Sequence, residues 1–199
     1  MKDKYYILGG ILVILIATLF LSFETYKEEN KEIAISSKIE KEYSFLENDE
    51  QINYLNSKDF DELYTKGNGI FLLCHYEFKA CQDIMRIVNE NEHNTINYYD
   101  ILNDRDEISM DTNDNIIKIE DESYIYKKML KILDDFLPKY SLLLEDKSYK
   151  KIDEKRLYMP TLIYLKEGTI IDIIVGDEKS ELESFKIDEG RIKEFIKFS

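Results

Sequence analysis

What the chain has little of narrows its reading first. Its 199 residues include two cysteines, two prolines, two histidines, seven glycines and no tryptophan. Two cysteines allow at most one internal disulfide, and the count alone does not establish it. Cations are outnumbered, with 27 Lys+Arg against 41 Asp+Glu and a formal net charge of -14. That sign opposes binding to nucleic acid or to anionic lipid heads, and its simplest use is to keep an exposed domain in solution. No cofactor is expected.

Charge is missing altogether from residues 5–23, which are nearly all apolar. That is about the length a helix needs to cross a bilayer. Lys2 and Lys4 precede the run, which favours a cytoplasmic tail at residues 1–4 and an external remainder. The competing reading is a cleaved signal peptide, which needs small residues at alternate positions before the cut. LFLSFETYK offers only Ser22 among bulky neighbours, so an uncleaved anchor in the cell membrane is favoured. No cysteine stands near the end of the span, which opposes a lipid anchor. Residues 24–50 are rich in Lys and Glu with loosely spaced apolar positions. They read as a partly helical stalk, with a partner-binding helix as the alternative.

The compact part is expected over residues 51–199. Ile52, Tyr54 and Leu55 suggest a first strand. Ser57 is a candidate N-cap for a helix with Phe60, Leu63 and Tyr64 on one face and Gly67 at its end. GIFLLC, from Gly69 to Cys74, is the continuous apolar run of a buried central strand. Helices are predicted at residues 81–91, 124–137 and 191–198, and a strand at residues 95–99. Ile84, Met85, Ile87 and Val88 form the inner face of the first of these helices. Tyr126, Met129, Leu130, Ile132 and Leu133 form that of the second. Strands alternating with helices imply an α/β sheet. Two polar stretches, near 103–123 and 141–157, are expected as surface insertions.

The most informative stretch is Met159-Pro160-Thr161 followed by LIYLKEGTIIDIIVGD. It reads as a strand, a short Gly-containing turn and a β-branched return strand. Proline cannot donate to a sheet ladder, so Pro160 belongs at the start of its strand. This stretch resembles the cis-proline hairpin of the thioredoxin fold, and the order of elements over residues 51–199 is similar to that fold as well. The resemblance implies a central mixed sheet flanked by helices, behind the N-terminal anchor and stalk. It extends to membrane-anchored, extracytoplasmic thioredoxin-like accessory proteins of Gram-positive bacteria.

Redox-active members carry C-x-x-C at the start of the helix after the central strand. The helix N-terminus there stabilises a thiolate on the first cysteine, and the second resolves the mixed disulfide. Here the matching residues are Phe78-Lys79-Ala80-Cys81. A phenyl ring stands where the attacking sulfur would be, so the standard dithiol cycle is lost. The buried acid that the family places in the central strand is replaced by Leu72. Cys74 and Cys81 remain, and three readings stay open: free apolar core residues, a structural disulfide, or an atypical catalytic pair. His75 could support a thiolate or be an exposed loop residue, and His93 reads as a helix-end or solvated side chain.

The resemblance also implies that the backbone of Met159, beside Pro160 and Thr161, pairs with an extended client polypeptide, a mode that needs no thiol. Phe78, Met159, Pro160 and Thr161 are therefore the expected binding residues. Asp111, Asn113, Asn115 and Glu122 fit positions of a calcium loop, but its glycine is replaced by Ile116. No metal site is expected. Three functions compete. The first is an accessory module that binds extracytoplasmic polypeptide. The second is an atypical thiol–disulfide oxidoreductase using Cys74 and Cys81. The third is a surface domain whose stalk or insertions bind a fixed membrane partner.

Overall fold

The computed structural model describes residues 42–46, 51–90, 95–111, 115–144, 148–181 and 188–197. The chain divides into two units, Met1–Ser44 and Phe45–Ser199, and the second holds every element described below. The predicted anchor lies outside the described residues, as do most of the stalk and His93. Among the described residues no helix is long and apolar enough to cross a membrane.

A five-stranded mixed sheet forms the centre, in the order β1, β3, β2, β8, β9. Strands β1 (Ile52–Tyr54), β3 (Ile96–Asp100) and β2 (Gly69–Cys74) run parallel, and β8 (Thr161–Lys166) and β9 (Thr169–Ile174) continue the sheet antiparallel. Among the described residues, four helices accompany it: α1 (Ser57–Lys66), α2 (Lys79–Asn89), α3 (Tyr124–Ile132) and α4 (Glu189–Lys197). The central strand is covered on both sides, with Ile70 to Cys74 all at 0% exposure. That is why it reads as an unbroken apolar run and not as an alternation.

The alternation of side chains along β2 separates the helices into two layers. Phe71 meets Phe60 and Tyr64 of α1, each with its ring centroid 5.9 Å away. Lys128 of α3 reaches Asp61 and Thr65 of α1, so α3 lies alongside α1. Cys74 points to the opposite face, where it is bonded to Cys81 of α2. Helix α4 packs against α2.

Several elements depart from expectation. The N-cap of α1 is Asn56, whose side chain accepts from the amides of Lys58 and Asp59, and Ser57 is the first helical residue. Helix α3 stops at Ile132 and passes into a 3-10 turn at Asp134–Phe136, which leaves Ile132 on the surface at 44% exposure. The two expected surface insertions each form a two-stranded ladder, which the sequence did not announce. The first forms a ladder of β4 (Glu107–Met110) with β5 (Ile116–Glu120), and the second a ladder of β6 (Lys139–Leu143) with β7 (Tyr149–Lys155). Each buries a few apolar residues among many polar ones, Ile108 in the first and Leu142 and Ile152 in the second. That pattern is too sparse to read as strands.

The hairpin of β8 and β9 closes through Glu167 and Gly168, with φ of 52° and 72°. Two residues with positive φ between paired Lys166 and Thr169 make the tight turn whose twist suits antiparallel strands. Opposite Tyr164 and Leu165 the register shifts, and Ile171 is left over as a bulge at the sheet edge. A bulge there blunts the edge against pairing with another chain.

Candidate functional site

Two neighbouring strand ends carry the residues singled out in the sequence. Leu73 of β2 pairs with Thr161 of β8. Cys74 and Pro160 are therefore each the next residue outward from one pair.

On the β2 side, Cys74 and Cys81 form a disulfide with their Cα atoms 5.7 Å apart. Both are at 0% exposure, and no free cysteine exists among the described residues. This replaces the reading of two separate core thiols. The sequence separation of seven covers a strand end, a tight turn and the first turn of a helix, which brings the Cα atoms into bonding range. The loop between them is firmly held. Phe78 donates its amide to His75 O (3.1 Å), and Gln82 Nε2 donates to Tyr76 O (2.9 Å). Phe78 is the N-cap of α2 and offers no side-chain cap. Its ring stands edge-on to that of His75 at 6.0 Å.

His75 is not an exposed loop residue. It is buried, and its Nδ1 lies 3.1 Å from both carboxylate oxygens of Asp100. Asp100 is the residue across from Cys74 in the β2–β3 ladder, so the parallel register itself delivers the carboxylate to the ring. The amide of His75 donates to Cys81 Sγ at 3.4 Å.

On the β8 side, the Met159–Pro160 peptide is cis. Met159 and Thr161 are both at 0% exposure, and Thr161 Oγ1 donates to Tyr158 O at 2.7 Å. The main chain of Met159 is already fully engaged within the molecule. Its amide donates to Glu181 Oε1 at 2.8 Å, and its carbonyl accepts from Ser180 Oγ at 2.6 Å. The main-chain groups expected to meet a client strand are engaged here by a turn at residues 177–181. Gly176 is what lets that turn come close. A Cβ there would sit 3.0 Å from Pro160 O and 3.1 Å from Met159 C, both rigid backbone atoms.

Sequence reasoning missed the residues behind this turn. Glu181 is held by an ion pair to Arg105, and both side chains are largely buried. Arg156 pairs with Asp106 Oδ1 at 2.9 Å and stacks over the Tyr140 ring at 4.2 Å. Arg105 and Arg156 line a cavity of about 350 Å³ together with Asp106, Glu107, Glu120 and Tyr140. A signal was available: the chain has only four arginines, Arg86, Arg105, Arg156 and Arg191, against a large excess of lysine. Guanidinium, planar and weakly hydrated, is the cation suited to buried pairing.

The calcium-loop pattern does not assemble. Asn113 lies outside the described residues. The Glu122 carboxylate is bound by Lys118, with Lys127 Nζ 3.6 Å away, and the hydrogen bond from Lys118 holds it below the usual carboxylate range. No cluster of metal-binding side chains occurs among the described residues.

No family model, curated protein or solved structure matches this chain.

What the arrangement can do chemically follows from burial. Thiol–disulfide exchange needs a thiolate in line with an accessible sulfur, and neither sulfur reaches solvent. The half-buried Phe78, the exposed Glu77 and the exposed Lys79 instead present an apolar spot between charges at the mouth of the disulfide loop. Beside the proline, one main-chain edge is held by a polar turn that other hydrogen-bonding groups could replace.

Proposed function

We propose that the chain is a thioredoxin-like domain, tethered outside the cell by its N-terminal segment, that binds extended polypeptide without turning over disulfides. The strand order, the cis Met159–Pro160 step opening β8 and the packing of helices on both faces support that fold assignment. The observation that carries the function is the Cys74–Cys81 disulfide at 0% exposure with Phe78 at the N-cap of α2. A scaffold that places no sulfur at its surface there can hold a client without a sulfur in reach of it. Polypeptide binds by strand addition beside Met159, exchanging its hydrogen bonds for those of Glu181 and Ser180, while Phe78 packs on an apolar client side chain.

The test uses the full chain in detergent micelles and a permanently unfolded, carboxymethylated polypeptide as probe. Binding is expected, and Phe78→Ala weakens it roughly tenfold, the loss of one well-packed aromatic anchor. Insulin is not reduced at a rate above background. Unchanged binding by Phe78→Ala would sink the proposal.

One observation favours a second reading. Cys81 lies in the first turn of α2 and its Sγ receives the His75 amide; both features stabilise a thiolate once the disulfide is opened. In that case the domain is an oxidoreductase: its disulfide takes two electrons from a client dithiol, which leaves as a disulfide. Stoichiometric oxidation of a dithiol peptide by wild type, with the Cys74–Cys81 disulfide reduced in exchange and the reaction abolished in Cys81→Ser, would establish it.

A further inference from the structure

We propose that the cavity at Arg105 and Arg156 is a binding site for a peptide carboxylate, and that its occupant displaces Glu181 and so releases the main chain of Met159. The inference rests on the polypeptide-binding role just proposed and names the chemical group that opens that site.

Burial comes first. The Arg105 and Arg156 side chains are 8% and 9% exposed, a setting in which guanidinium groups need full hydrogen bonding. They do not have it: the buried Nε of each finds no acceptor among the described residues. Each guanidinium spends its Nη1 on a carboxylate of this chain, Arg105 on Glu181 and Arg156 on Asp106. Both line the same cavity, whose volume of about 350 Å³ suits the end of a peptide.

The chemistry of the occupant follows from what it must replace. Glu181 uses one oxygen, Oε1, for both Arg105 and the Met159 amide. A second carboxylate offered to Arg105 exchanges like for like. It uses the planar fork that guanidinium presents, and the negative charge it brings calls for a cation on the same ligand. Once Glu181 lets go of Arg105, its hold on the Met159 amide loses its anchor.

The rim selects further. Glu107 and Glu120 lie opposite one another in the β4–β5 ladder, and both are exposed. Like charges facing each other across a ladder are unfavourable, and a cationic side chain between them relieves the repulsion. The fitting ligand is therefore a carboxylate with a basic residue just before it, such as the C-terminus of a lysine-rich peptide.

The probe is N-acetyl-dilysine, as the free acid and as the C-terminal amide, titrated into the full chain in micelles and followed by the Met159 amide resonance. The free acid moves that resonance and accelerates its exchange with solvent, while the amide leaves it in place. Glu181→Gln keeps an oxygen for the Met159 amide but removes the competing charge, so it tightens free-acid binding by roughly tenfold. Arg105→Lys weakens it by a similar factor. Equal behaviour of acid and amide overturns the proposal, as does unchanged or weaker binding by Glu181→Gln. Inorganic phosphate binding as tightly as the free acid also overturns it, because the cavity would then be a general oxyanion site. The two proposals fail separately. If Phe78→Ala impairs polypeptide binding while acid and amide are indistinguishable, only the carboxylate site falls. If the free acid shifts Met159 but unfolded polypeptide does not bind, only the polypeptide role falls.

Discussion

Single residues hold two of the decisive contacts in this molecule. Glu167 adopts φ of 52° at the tip of the β8–β9 turn, a conformation in which asparagine is far more comfortable than glutamate. Glu167→Asn is expected to stabilise the protein by about 0.5 kcal/mol, measured by urea unfolding. Gly168→Ala does the reverse, because the φ of 72° is kept for glycine and a Cβ would collide with the carbonyl of Thr65. Gly176 plays the corresponding part beside the proline. Gly176→Ala pushes the 177–181 turn off Met159, so the Met159 amide should exchange with solvent faster while amides of β2 keep their protection. Equal protection of Met159 in variant and wild type would show that the turn does not depend on that close approach.

At the scale of elements, the ends matter more than the middles. Helix α1 starts because Asn56 satisfies two otherwise orphaned amides, each at 3.0 Å. Asn56→Ala should cost about 1 kcal/mol. Helix α2 has no side-chain cap, and the disulfide performs the fastening instead, joining its first turn to the end of β2. For a loop with a sequence separation of seven, the chain-entropy contribution is about 2.5 kcal/mol. The Cys74→Ser/Cys81→Ser double variant should lose about that much by denaturant titration, and wild type in reductant should approach it. Much of this level was legible. The run Gly69–Cys74, the turn at Glu167-Gly168 and the proline opening β8 each announce themselves through composition, because burial on both faces, positive φ and a missing donor restrict which residues can serve. The β4–β5 and β6–β7 ladders were not legible. Their buried residues are few, and what holds the strands is pairing between segments, which leaves little mark on either segment alone.

At the scale of the whole molecule, buried phenols lead to the expectation that stability falls at alkaline pH. Burial pushes Tyr126 up to about 12 and also raises Tyr64, Tyr99 and Tyr158, with the Asp104 hydrogen bond adding to the rise at Tyr99. The folded value lies above the unfolded value near 10 in each case. Stability from these groups is therefore complete below about pH 10 and is lost as pH climbs toward the folded values. Absorbance at the phenolate band should show a set of tyrosines ionising early and a second set ionising together with unfolding. A single smooth titration at pH values where circular dichroism is still native would contradict it.

By itself the sequence determined the alternation of strands and helices around the central sheet, the buried central strand, the proline hairpin and the absence of a sulfur at residue 78, since each of these is written in local composition and periodicity. Only the tertiary structure decided three things: that Cys74 and Cys81 are bonded, that Glu181 and Ser180 already hold the Met159 main chain, and that Arg105 and Arg156 share one cavity. These join residues far apart along the chain, or fix a distance across a turn. Such contacts arise from packing and register, which no short stretch of sequence encodes.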